Sequence, residues 1–129
     1  LHLCDRRQRQ MCIRDRSSAS GNTGAEFPEY AASKGGVIAY MKNVALRIAK
    51  YHATSNSISP GGVITDLNDH ILKNENLYEA VLNETLLHRW SDVEEMAKWA
   101  FFLTVINKSM TAQDILIDNG EAAKSNFIW

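Results

Sequence analysis

The 129-residue sequence has only two cysteines, Cys4 and Cys12, both within the first sixteen residues, so no disulfide framework organises the rest of the chain. Charge of one sign is also missing. With 14 Lys+Arg against 15 Asp+Glu the formal net charge is -1, which removes the electrostatic case for nucleic acid or an anionic membrane as partner. No apolar run approaches the roughly 20 residues that a membrane-spanning helix requires; the best stretch, Trp99 to Ile106, already includes Thr104. His52, His70 and His88 are scattered without ligand spacing, so no metal site is expected. What is present is a globular balance, 45% hydrophobic and 22% charged, at the length of one domain or part of one.

Residues 1–16, LHLCDRRQRQMCIRDR, lack the apolar core and small-residue cleavage site of a signal peptide and show no helix or strand period. Met11 to Arg16 is the translation of ATG TGT ATA AGA GAC AG, which resembles the transposase end used to prepare DNA sequencing libraries. Residues 1–16 are therefore expected to be a non-native leader, and residues 17–129 the C-terminal part of a single domain. Without the leader, 113 residues remain with 9 Lys+Arg against 13 Asp+Glu, net -4 and no cysteine, which suits a cytoplasmic protein.

Beyond the leader the pattern alternates. Residues 17–29 are rich in small residues and read as a loop. From Tyr30 to about Tyr51, Val37, Tyr40, Met41, Val44 and Ile48 recur at helical steps and predict one buried stripe. Ala31, Ala32, Gly35 and Gly36 make the start of this helix smooth, open to close approach by another backbone or a ligand. Thr54 to Ser59 fits a short strand ending at Pro60-Gly61-Gly62. Residues 66–87 are polar with scattered Ile, Leu and Val, as expected of one or two short, partly docked helices forming a mobile flap. Ser91 and Glu94 form an expected capping box before a helix over 92–106 with an aromatic buried face, and Asp114 to Asp118 reads as a buried strand closed by Asn119-Gly120. Helix, strand, helix, strand implies the α/β class with a parallel sheet and crossover helices.

Tyr30 and Lys34 in YAASK are four apart and share a helix face. The spacing alone is weak, but its surroundings make it specific. Ser18-x-x-Gly21 lies upstream; Asn56-Ser-Ile58-Ser-Pro60-Gly61, Thr65 and Thr111-x-Gln113-x-Ile115-x-Ile117-Asp118 lie downstream. With these motifs the sequence resembles the short-chain dehydrogenase/reductase family over residues 17 to about 121. The resemblance implies the C-terminal half of a Rossmann-like doubly wound parallel sheet, lacking the N-terminal dinucleotide-binding strands. It also implies NAD or NADP as cofactor, a small carbonyl or secondary alcohol as substrate, and a homodimer or homotetramer. Ser18, with Ser17 as fallback, Tyr30 and Lys34 become the expected catalytic group. Tyr30, Lys34, Pro60, Gly61, Val63 and Thr65 become the expected cofactor contacts, with Lys34 on the nicotinamide ribose and Val63 and Thr65 near the carboxamide.

The chemistry follows from the residue types. A phenol, with an ordinary pKa of about 10, needs a nearby positive charge to exchange protons at neutral pH. Lysine supplies that charge, tyrosine acts as general acid or base, a serine hydroxyl positions the substrate oxygen, and the cofactor carries the hydride. A 3-oxoacyl carrier-protein reductase and a sugar or polyol dehydrogenase are the candidate activities; the alternative is a non-catalytic relative or an inactive fragment. Ala112, Asn119 and Trp90 depart from the family pattern. Trp90, Trp99, Phe101 and Phe102 are expected in the core or a subunit contact, and Asp92, Glu94 and Glu95 in compensation of a helix dipole.

Overall fold

A computed structural model describes residues 14–16, 18, 21 and 28–124; Cys4, Cys12, Ser17 and the tail from 125 lie outside this set. Three parallel strands form one sheet in the order β1 (Arg14–Arg16), β2 (Asn56–Pro60), β3 (Asp114–Ile117). Helix α1 (Pro28–Ile48), continued by a 3-10 turn at Ala49–Tyr51, joins β1 to β2. Between β2 and β3 lie a 3-10 turn at Asp66–Asn68, short helices α2 (Asp69–Leu72) and α3 (Glu75–Leu82), and α4 (Val93–Phe101), which runs into a π-helical turn at Phe102–Ile106. Strand β1 falls in the stretch where no strand is expected: Arg-Asp-Arg has no apolar alternation, and the pairing of Arg14 with Asn56 through Arg16 with Ile58 runs between backbones.

The central strand is unusual in being buried and polar. Ser55, Asn56, Ser57 and Ser59 are each exposed by 1% or less, so each hydroxyl and amide needs a partner. Strand β3 and the loop before it supply most of them. Asn56 Nδ2 donates to the Met110 carbonyl at 3.0 Å, and Asn56 Oδ1 accepts from Gln113 N at 3.2 Å. The Ser57 hydroxyl donates to Asp114 Oδ1, and that of Ser59 reaches both Asp114 carboxylate oxygens at 2.8 Å. From the helix side, the Met41 carbonyl accepts from Ser55 Oγ at 3.3 Å. The strand also extends one residue further than expected, through Pro60. Ser57 N and Gly61 N both donate toward β3, so alternation turns the position of the missing Pro60 N–H to the β1 side, beyond the last β1 pair at Ile58.

Helix α1 buries Ala31, Ile38, Met41, Val44 and Ala45. Met41 and Val44 belong to the expected stripe, but Tyr40 is 62% exposed, and Ile38 and Ala45 take its place. Small alanines, invisible to a count of large apolar residues, let the helix settle on the strand.

The second helix also differs from expectation. Its cap is Asp92, whose side chain accepts from Glu95 N at 2.7 Å while Glu95 Oε2 accepts from Asp92 N at 3.0 Å. The box is shifted one residue from Ser91 and Glu94 because Ser91 is drawn into a β-bridge with Val63. Nor is the inner face aromatic: Leu103 is 1% exposed, whereas Trp99, Phe101 and Phe102 are exposed by 40%, 57% and 36%. Trp99 and Phe102 meet edge to face at 6.2 Å and, with Glu95 and Lys98, line an open cavity of about 540 Å³.

Ala112 and Asn119 stand in left-handed backbone, φ 59° and 54°. Asparagine tolerates that region; alanine pays for its Cβ. Replacing Ala112 by Gly is expected to raise the unfolding free energy measured by urea titration by about 0.5–1 kcal/mol once the extra freedom of Gly in the unfolded chain is subtracted.

The Arg89 guanidinium hydrogen-bonded to Glu95, followed by the Asp92 backbone N–H, holds the Glu95 carboxyl below its ordinary range. Stability from this contact is present above the unfolded-state pKa of roughly 4.3 and lost as pH falls through the lower native value. Urea titrations at stepped pH are expected to show that part of the acid-side loss disappear in Glu95→Gln.

Candidate active site

Parallel strands joined by a helix put the start of that helix at the carboxyl end of the sheet. Ser18 follows β1, Tyr30 and Lys34 stand in the first two turns of α1, and Pro60 to Thr65 follow β2, so the topology brings all the expected site residues to one edge. In open α/β sheets this is the edge where ligands bind.

Two contacts give the edge its form at α1. The Lys34 ammonium lies 5.4 Å from the centroid of the Tyr30 ring, within the range of cation–π attraction. Tyr30 is 41% exposed, so its ring remains accessible. Upstream, Gly21 N donates to the Ser18 carbonyl at 2.9 Å, closing a turn. A Cβ on Gly21 would stand 2.8 Å from Lys34 C and 2.9 Å from Gly35 N, so the Ser18–Gly21 turn sits directly on the Lys34–Gly35 backbone. Glycine is required there by close approach. The expected smooth start of the helix thus has an observed occupant, the serine turn.

After β2 the chain is braced rather than loose. Gly61 N donates to the Ile117 carbonyl at 3.0 Å, and a Cβ at Gly61 would meet Asp118 Cα at 2.9 Å. Ser91 N donates to the Gly62 carbonyl at 3.1 Å and Ile64 N to the Ser91 carbonyl at 2.9 Å. Because the bridge uses Gly62 and Ile64, the Val63 N–H and C=O point to the other side. There the Val63 carbonyl accepts from Asn68 Nδ2 at 2.7 Å, and the same amide lies 3.4 Å from Thr65 Oγ1. Thr65 itself is extended, φ -147° and ψ 163°. The Val63 N–H and the Thr65 hydroxyl therefore belong to one side of an extended segment, two residues apart.

Three residues of this edge escape sequence reasoning. Asn68 braces Val63 and Thr65; its three-residue separation from Thr65 is a faint signal of a side-chain turn. Ser91 braces the same segment from 28 positions away, and its hydroxyl accepts from Asn119 Nδ2 at 3.0 Å; no local pattern announces it. Trp90, expected only as packing, lies against Gly62. Among the described residues, no group of three or more His, Cys, Asp or Glu is arranged to hold a metal ion, and no helix is long and apolar enough to cross a membrane.

Residues 8–121 match the family model described as Enoyl-(Acyl carrier protein) reductase. The L-rhamnose 1-dehydrogenase (NADP(+)) of Thermoplasma acidophilum is 31% identical over 81% of this chain and 42% of its own length. The 3-oxoacyl-[acyl-carrier-protein] reductase FabG of Chlamydia pneumoniae is 35% identical over 70% of this chain and 36% of its own. Among solved structures, a 4-hydroxyisoleucine dehydrogenase complexed with NADH superposes with a TM-score of 0.81 and 27% identity, over 88% of this chain and 48% of that one. The chain thus spans less than half the length of these relatives. With the same parallel α/β sheet and a family match across most of its residues, this chain belongs to the short-chain dehydrogenase/reductase family.

Proposed function

We propose that this chain is the C-terminal, catalytic part of an oxidoreductase that moves hydride between NAD or NADP and a small carbonyl or secondary alcohol. The observation that carries the reading is the Lys34 ammonium 5.4 Å from the Tyr30 ring centroid, with the Ser18–Gly21 turn packed on Lys34. In this reading Tyr30 gives a proton to the substrate oxygen during reduction and takes one during oxidation. Lys34 supplies the positive charge beside the phenol, and the Ser18 hydroxyl holds the substrate oxygen in place.

The segment after β2 fits the nicotinamide end of the cofactor. A carboxamide needs a donor for its oxygen and an acceptor for its NH2, and the Val63 N–H and the Thr65 hydroxyl offer that pair on one side of the chain. Pro60 and Gly61 set the turn that presents them, and Lys34 and Tyr30 stand at the same sheet edge. The cofactor, when bound, supplies the hydride. Relatives named for NADP(+) and for a complex with NADH support this reading.

For the substrate, the two curated relatives named above are a sugar dehydrogenase and an acyl-carrier-protein reductase, and both classes suit a Tyr-Lys-Ser centre. A cytoplasmic homodimer or homotetramer completes the proposal; Tyr40 and Leu46, 62% and 77% exposed on α1, support a sister subunit against that helix.

Tyr30→Phe in the complete enzyme is expected to lower kcat by about 10²–10⁴-fold, the usual span for losing a general acid or base. Cofactor affinity, followed by nicotinamide fluorescence, is expected to stay near that of the unsubstituted enzyme. Near-normal turnover in this variant refutes the assigned chemistry.

A further inference from the structure

Within the flap of residues 66–87, none of the three short helical elements over 66–82 has a buried residue. Its position must therefore be set by a few specific contacts rather than by core packing. One such contact is aromatic. Tyr78, on α3, meets Trp90 with ring centroids 6.2 Å apart and planes at 86°, an edge-to-face pair.

Trp90 is in turn fixed on the turn after β2. An ideal Cβ at Gly62 would lie 2.2 Å from Trp90 Nε1 and 2.3 Å from Cε2, so the indole fills the space where any side chain at position 62 would stand. The strap that carries Trp90 is held at both ends. Thr85 is buried and its Oγ1 accepts from Arg89 N at 3.1 Å; Leu87 N donates to the Asn119 carbonyl at 3.1 Å; Ser91 is bridged to Val63. A rigid strap thus presents one ring that touches the braced turn on one side and the unburied flap on the other.

We infer that Trp90 is a positioning residue that seats the flap, through Tyr78, on the turn at Gly62. The inference rests on the reading above, in which that turn faces the nicotinamide end, and adds to it that the flap covers the substrate. Loss of the Trp90–Tyr78 contact then weakens substrate capture while leaving cofactor affinity and the proton-transfer step alone.

The test uses the complete enzyme with Trp90→Ala, Trp90→Phe, Tyr78→Ala and the Tyr78→Ala/Trp90→Ala double variant. Lys73, between α2 and α3, is exposed, so the rate of tryptic cleavage after it reports release of the flap without reference to catalysis. Trp90→Ala and Tyr78→Ala are each expected to raise both substrate KM and the cleavage rate by roughly three- to tenfold, the scale of an edge-to-face pair. In Tyr78→Ala, which leaves the turn after β2 untouched, kcat and cofactor Kd are expected to stay within about twofold of the unsubstituted enzyme. Trp90→Phe is expected to recover most of the loss, and the double variant to be no worse than the worse single one. Tyr78 lies outside the strap and the turn, so Tyr78→Ala keeps the test decisive if Trp90→Ala unfolds. Unchanged KM and cleavage in Tyr78→Ala overturn the inference, as does a rise in cofactor Kd equal to that in KM. If the unsubstituted enzyme shows no turnover with either nicotinamide cofactor, the oxidoreductase reading fails, and the cleavage ratio alone still decides whether Trp90 seats the flap.

Discussion

The constraint on which the rest of the structure depends is the burial of a polar strand. β2 and the residue before it place Ser55, Asn56, Ser57 and Ser59 in the interior, and each unpaired hydroxyl or amide there would cost on the order of 1–3 kcal/mol. The observed placement of β3 satisfies most of them, with Asp114 opposite Ser57 and within reach of Ser59, and Met110 to Gln113 folded against Asn56, while the Met41 carbonyl takes the Ser55 hydroxyl. Ala112 accepts left-handed backbone so that its N–H can reach the Ser55 carbonyl at 2.7 Å. The hydrogen-bonded serines and asparagine favour this register, because a slip would leave buried hydroxyl and amide groups without their partners.

That register decides where the strands end, and the strand ends carry the candidate site. Pairing of Pro60 with Ile117 brings Gly61 against Asp118, whose carboxylate accepts from Gly120 N at 3.0 Å and Ala122 N at 2.7 Å. The turn after β2 is thus built from three directions, by β3, by the Ser91 strap and by Asn68. Such over-determination suits the role proposed for this segment, in which the Val63 N–H and the Thr65 hydroxyl meet the cofactor. The glycines at 61 and 62 serve protein packing: the atoms that exclude a Cβ belong to Asp118, Glu121 and Trp90.

The placement of the candidate residues on α1 was largely legible in the sequence. Tyr30 and Lys34 share a helix face by spacing alone; of the two glycines expected to admit a close approach, Gly35 meets the Gly21 carbonyl and Gly36 faces open space. The α/β alternation was legible too, since α1, β2 and β3 each carry local periodicity or turn punctuation. Other features were hidden for identifiable reasons. β1 pairs through backbone groups, which leave no mark on side-chain pattern. The cap of α4 moved from Ser91 to Asp92 because a bridge to Val63, 28 residues away, competes for Ser91. The aromatic face of α4 was misplaced because helical spacing tells which residues share a side, and not which side meets the sheet.

What the sequence by itself determined are the properties that depend on neighbours within one or two turns: element types, the shared face of Tyr30 and Lys34, and the backbone freedom of the glycine turns. Only the tertiary structure decided which elements lie side by side and which groups therefore compete for one partner. Hydrogen bonds from Asn68 to Val63 and from Ser91 to Gly62, and the packing of Trp90 against Gly62 and edge to face with Tyr78, exist because parallel strands bring their carboxyl ends to one edge. The physical reason is range. Local backbone preferences act over about four residues, whereas satisfaction of buried polar groups selects partners by proximity in space, wherever they stand in the chain.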